Sequence, residues 1–134
     1  MERRLPIEGE DDIVLARQTA RQVAQGLGFG AVDQSRIATA VSELARNVVR
    51  YATDGRGEVV IRSVVDDAGR QGLEVVVIDE GPGIADVAQV MQEGYTSGRG
   101  MGMGLPGTRR LMDAMEIDTC PGCGTTVVIR KWRR

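Results

Sequence analysis

The chain contains no histidine, and its single lysine is Lys131. Without an imidazole, a Ser-His-Asp triad, a His-ligated zinc and a phosphohistidine relay are all excluded. Without a lysine beside a glycine loop, a Walker A loop and a eukaryotic-type protein kinase both lack the ammonium they place on phosphates. Aromatic residues are equally scarce: Phe29, Tyr51, Tyr95 and Trp132 are too few for a base-stacking platform. No apolar run approaches membrane-spanning length, and MERRLPIEGEDD has no apolar segment of the secretory kind. A cytoplasmic protein is therefore expected. The net charge of −2 and pI of about 5.2 leave no electrostatic footprint for nucleic acid or an anionic membrane. The basic ending RKWRR is expected to be a solvated tail.

What is present is ordered. At 134 residues and 14.4 kDa the chain is expected to be one domain, residues 1–134. MERRLPIE suits an edge strand. From an N-cap at Asp11 or Asp12, the residues Ile13, Ala16, Ala20, Val23 and Leu27 share one helical face, and Gly26 and Gly28 end the helix. A second helix is predicted from about Asp33 to Ala52, with Ile37, Val41, Leu44, Val48 and Tyr51 as its stripe. EVVIRSVV (58–65) and LEVVVI (73–78) read as strands joined by a hairpin through DDAGRQG. A short helix over 85–93, a helix from Leu105 to Met115, and two strands flanking PGCG (121–124) complete the pattern. Early helices and late hairpin strands predict an α/β (α+β) two-layer sandwich, a mostly antiparallel sheet with helices on one face.

Gly102-Met103-Gly104-Leu105-Pro106-Gly107 spells G-x-G-x-x-G, the dinucleotide fingerprint. That fingerprint needs a strand running directly into the glycines, whereas here the polar MQEGYTSGR precedes them. A helix does follow, with Pro106 acceptable in its first turn. Its free N–H groups and the Cβ-free glycines before it suit a polyphosphate held by backbone alone. In SELARN, Glu43 and Asn47 are one helical turn apart and share a face: a carboxylate can activate a hydroxyl, and an amide oxygen can ligate Mg²⁺. In DEGPGI, Asp79 stands at the end of a buried strand, where it could accept the exocyclic amine of adenine, with Gly81 and Gly83 permitting close approach. Gly124-Thr125 opens the last strand with a hydroxyl.

An Asn-bearing helix, D-x-G-x-G, G-x-G-x-G before a helix, and G-T, in this order, resemble the GHKL ATPase superfamily with its histidine-kinase-like ATP-binding fold. The resemblance covers nearly the whole chain. It implies that the glycine ladder ends an ATP lid over roughly residues 92–104. With no room for a transducer domain and no phosphoacceptor His, the chain is most similar to the small anti-sigma and switch serine/threonine kinases, through ARQTARQVAQGLGFGAVDQSRIATAVSELARN, GLPGTRRLMD and IRKW.

The resemblance implies ATP and Mg²⁺ as cofactors and phosphorylation of STAS-domain proteins, an RsbS-like antagonist and RsbR-like co-antagonists. It further implies activation of an RsbU-type phosphatase by the released kinase. Carried onto this sequence, Glu43 would be the general base, Asn47 the Mg²⁺ ligand and Asp79 the adenine reader. Gly81 and Gly83 would shape the base pocket, Gly100, Gly102 and Gly104 would hold phosphates, and Thr125 would close the base site. Arg99 is a candidate γ-phosphate partner from charge and position in the lid alone. Two rivals are an anti-sigma factor kinase of the RsbW or SpoIIAB kind, which sequesters a sigma factor, and a redox or metal module on Cys120 and Cys123. A lone C-x-x-C without a second pair or a His cannot complete a structural zinc site, so the two thiols read as free turn residues.

Overall fold

A computed structural model describes residues 1–52, 55–81, 104–120 and 122–134. Five strands form one antiparallel sheet: β1 (Glu2–Ile7), β2 (Gly57–Val65), β3 (Gln71–Asp79), β4 (Ala114–Thr119) and β5 (Thr125–Trp132), in the order β1-β2-β3-β5-β4. Among the described residues three helices pack on one face: α1 (Glu10–Gly26), α2 (Ala31–Tyr51) and α3 (Gly104–Leu111). This is the expected two-layer sandwich. The short helix expected over 85–93 lies outside the described residues.

Strand alternation decides which side chains meet the helices. Val59, Ile61, Leu73, Val75, Val77, Val127 and Ile129 have the same parity and are buried. On α1, Ile13, Ala16, Ala20, Val23 and Ala24 form the inward stripe, and the alanines let α1 lie close against α2. Helix α2 is buried at almost every position from Ile37 to Ala45, more than one stripe, because it is covered by α1, the sheet and α3. Full burial of one such aliphatic side chain is worth roughly 1.5–3 kcal/mol, so α2 is the main anchor of the domain.

The ends of several elements differ from those expected. The N-cap of α1 is Gly9, while the Asp12 carboxylate accepts the Glu8 N–H at 2.8 Å, one residue before the N-cap. Tyr51 does not belong to the buried stripe, being 39% exposed. The last helix stops at Leu111 instead of Met115, and Met115 lies in β4. Helix propensity favours the longer helix, but the Asp113 N–H bonds the Arg130 carbonyl at 2.9 Å and starts the β4–β5 ladder, which a helix would forfeit.

RKWRR is not a solvated tail. Residues through Trp132 extend β5, and Lys131 is 5% exposed on the helix side. Its Nζ donates to the Leu111 carbonyl at 3.0 Å, at the C-terminal end of α3, and lies 3.8 Å from Asp33 and 3.7 Å from Asp113. A cation among the last carbonyls of a helix is favoured by their partial negative charge. The single lysine thus ties α3, β5 and the start of α2 together.

The other sheet face is a charge lattice. Glu2, Arg62, Glu74 and Arg130 stand in register across β1, β2, β3 and β5. Arg62 and Arg130 each bond one oxygen of Glu74 at 2.7 Å, and Arg130 also reaches Glu116 at 3.3 Å. The hydrogen bond to Glu74 raises the Arg130 pKa further above its ordinary value.

Candidate functional site

The strand residues predicted to read the base meet at one end of the helix-facing side. In the ladder Gly57 pairs with Asp79, Asp79 with Thr125 and Thr125 with Thr119, and all have the parity of the core residues. Asp79 is the last residue of β3, and its Oδ1 accepts the Gly81 N–H at 2.8 Å. That bond fixes the carboxylate and leaves Oδ2 with no hydrogen-bond partner among the described residues. The Thr119 hydroxyl lies 2.9 Å from the Gly124 carbonyl and 3.0 Å from the Thr125 hydroxyl. When Thr119 donates to that carbonyl, Thr125 donates to Thr119 and presents its own oxygen as an acceptor. Thr119 was missed by sequence reasoning, because its place opposite Thr125 follows only from the hairpin register.

The glycines here are forced by close approach. A Cβ on Gly81 would come within 2.8 Å of the Ala52 Cα and 3.2 Å of the Tyr51 carbonyl, at the end of α2. Gly124 has φ +84, and a Cβ there would collide with the Asp79 carbonyl. Gly57 gives the same intimacy on the other side, where a Cβ would sit 2.7 Å from Val48 Cγ1. The C-terminal turn of α2 is therefore seated directly on the Asp79 end of the sheet. Gly81 serves this packing as well as any pocket it shapes.

Glu43 and Asn47 lie one turn apart in the half of α2 that leads to this junction. The Glu43 side chain is 10% exposed, and Arg46 Nη1 holds its Oε1 at 3.0 Å. Asn47 is half-buried. Helix α3 packs on α2, and its C-terminal end is tied by Lys131 near Asp33, at the start of α2. Eight residues span about 12 Å, so α3 has its N-terminus about that far from this tie. It opens at Gly104 with φ +69, and Thr108 Oγ1, fully buried, bonds the Gly104 carbonyl at 3.1 Å. The first-turn N–H groups of a helix have no intrahelical partner and carry partial positive charge, which suits an anion. Pro106 contributes no N–H to that set.

The described residues thus set Asp79, Gly81 and Thr125 together against the end of α2, the helix that carries Glu43 and Asn47 further up its length, while Gly104 opens α3. Gly83, Gly100, Gly102 and Arg99, with the rest of the lid, lie outside the described residues. Cys120 and Cys123 differ from expectation: their sulfurs are joined as a disulfide with Cα atoms 5.3 Å apart, a separation that suits such a bond. The β4–β5 turn brings the two thiols face to face, and its Cys123 N–H bonds the Cys120 carbonyl at 3.1 Å. Among the described residues no group of His, Cys, Asp and Glu forms a metal-binding cluster, and no helix is long and apolar enough to cross a membrane.

Residues 8–131 match the family described as the histidine kinase-like ATPase domain. The serine/threonine-protein kinase RsbT of Bacillus subtilis (strain 168) is 50% identical over 125 residues, covering 93% of this chain and 92% of that one. An anti-sigma F factor of Clostridium beijerinckii is 34% identical over 98 residues, 71% of this chain and 68% of that one. Among solved structures, the RsbU and RsbW domains of Rv1364c from Mycobacterium tuberculosis align with 98% of this chain and 33% of that chain, with a TM-score of 0.63 at 23% identity, a likeness of fold. The SiaB-SiaC complex from Pseudomonas aeruginosa gives a TM-score of 0.56 at 15% identity over 98% of this chain and 89% of that one. The chain belongs to the histidine kinase-like ATPase domain family, as a serine/threonine-protein kinase homologue of the RsbT type.

Proposed function

We propose that this kinase binds Mg·ATP between the α2–α3 pair and the Asp79 end of the sheet, and passes the γ-phosphoryl group to a serine or threonine of a STAS-domain protein. The observation that carries the reading is the convergence of Asp79 and Thr125 in one ladder row, seated against the end of the helix that bears Glu43 and Asn47. The residues fit the nucleotide. Among the described residues Asp79 Oδ2 has no hydrogen-bond partner and suits an exocyclic amine, and Gly81 and Gly124 let the α2 end and the β4–β5 turn close in on Asp79.

In this mechanism Asp79 and Thr125 read the adenine, and the N-terminus of α3 with Gly100, Gly102 and Gly104 holds the phosphates through backbone N–H groups. Asn47 is the protein ligand for Mg²⁺, which when bound offsets the charge of the phosphate oxygens. Glu43 takes the proton of the acceptor hydroxyl at Oε2, while Arg46 holds Oε1 and so fixes the carboxylate. Arg99, in the lid, is the candidate partner for the γ-phosphate.

The partners in this reading are an RsbS-like antagonist and RsbR-like co-antagonists as substrates, and an RsbU-type phosphatase activated by the released kinase, all in the cytoplasm. Incubation with labelled ATP, Mg²⁺ and a STAS-domain protein, followed by phosphosite mapping, tests it. One labelled serine or threonine on the STAS protein is expected, and no transfer at all would reject the reading. The similarity to anti-sigma F factors favours one alternative, a kinase that also sequesters a sigma factor. Co-purification of a sigma factor in stoichiometric amount would select it.

A further inference from the structure

We propose that Cys120 and Cys123 are a reversible dithiol–disulfide switch that sets the affinity of the adenine end of the nucleotide site. The inference rests on the base-reading role of Asp79 and Thr125 given above. The cysteines bound the turn between β4 and β5, and both are solvent-exposed, so a small thiol or disulfide can reach them. The same turn is wired to the site. Its next residue, Gly124, is buried with φ +84 directly against the Asp79 backbone, and the Gly124 carbonyl accepts the Thr119 hydroxyl. Thr119 in turn bonds Thr125, the register partner of Asp79. A constraint across Cys120 and Cys123 is therefore a constraint on Gly124, and through it on both groups assigned to the base.

The chemistry balances with a glutathione-class disulfide as oxidant. One cysteine thiolate attacks it, forming a mixed disulfide and expelling one thiolate. The second cysteine then displaces the other thiolate, closing the Cys120–Cys123 bond. Two electrons pass to the small disulfide, and the two cysteine protons end on its two thiols. Excess dithiol reverses both steps. In a reducing compartment the dithiol is the resting form, and disulfides there are usually transient or sensing.

The oxidised turn is preorganised. Gly122 and Gly124, both at positive φ in the disulfide form, let the reduced turn regain backbone freedom that nucleotide binding must remove again. Fixing one residue corresponds to about a tenfold change in affinity. The oxidised chain is thus expected to bind a non-hydrolysable ATP analogue about tenfold more tightly than the reduced chain.

The experiment titrates that analogue into the full chain by calorimetry, after oxidation with glutathione disulfide and after reduction with dithiothreitol, with thiols counted in each. Support is two thiols lost on oxidation, a tighter oxidised form, and a C120S/C123S variant that matches the reduced chain under both conditions. Equal affinity of the two wild-type forms, or a redox difference that persists in the double variant, overturns the switch. Asp79→Asn separates the two readings. If it loses the analogue while oxidation has no effect on wild type, the base site stands and the switch falls. If it binds like wild type, the base reading falls and the switch falls with it.

Discussion

At Asp79 the two carboxylate oxygens differ: Oδ1 is held by the Gly81 N–H, and Oδ2, without a partner among the described residues, is the atom proposed to read the base. Asp79→Asn replaces an acceptor-only group by one that can present N–H donors to an amine. Such a buried mismatch costs on the order of 1–3 kcal/mol. ATP affinity should fall about 10- to 100-fold in calorimetry, and unchanged affinity would remove Asp79 from the base site. Glu43 calls for the opposite result. Glu43→Gln keeps the length and a hydrogen bond to Arg46 but cannot take a proton. Loss of a general base lowers the rate about 10²- to 10⁴-fold. Nucleotide affinity should stay near normal, because Asn47, Asp79 and Thr125 are untouched. A single-turnover assay beside an analogue titration reads both quantities, and a wild-type phosphorylation rate would end the general-base assignment. Glu43, Asn47, Asp79 and Thr125 could be named as candidates because each sits at a fixed offset within a motif. Thr119 could not, since its partner is across a hairpin whose register the sequence leaves open.

Among the elements, the join of α3 to β4 depends on Asp113. Burial alone would raise its pKa, but the Trp132 N–H at 2.7 Å, Arg134 at 2.6 Å and nearby Lys131 outweigh it and hold the group below its ordinary value of 3.8. A carboxylate depressed in the folded state contributes stability that is fully present above its unfolded pKa and disappears as pH falls through the folded one. Urea midpoints at pH 7 and pH 3 should therefore differ less in Asp113→Asn than in wild type. Equal acid sensitivity in the two proteins would show that Asp113 contributes no such linkage. This joint also marks where reading by period failed. Leu111-Met112 and Ala114-Met115 favour helix, with Asp113 a weak former between them, and pairing with β5 turns the second half into a strand. The strands themselves were legible, because Val59-Ile61 and Leu73-Val75-Val77 alternate cleanly and DDAGRQG supplies the turn, where Asp66 accepts the Ala68 and Arg70 N–H groups.

For the molecule as a whole, the sheet separates two regimes: an apolar side under the helices, where the nucleotide is proposed to bind, and a charge lattice on the other. Glu74→Gln breaks the lattice at its centre, where one carboxylate with an 11% exposed side chain serves two arginines. Those arginines are partly exposed and can rehydrate, so the loss should be about 1–3 kcal/mol of stability in urea titration. ATP affinity should be unchanged because the sheet intervenes, and a parallel loss of nucleotide would show that the two sides are coupled. Lys131 has a practical consequence of a different kind. Its amine is the only one on any side chain, and it is shut between the last turn of α3 and β5. An acylating reagent can reach it only when that seam opens. Pulse acylation followed by peptide mapping would thus time the breathing of the seam at a single, naturally unique reporter, and slower labelling with nucleotide bound would show that occupancy at the far end of α3 closes it.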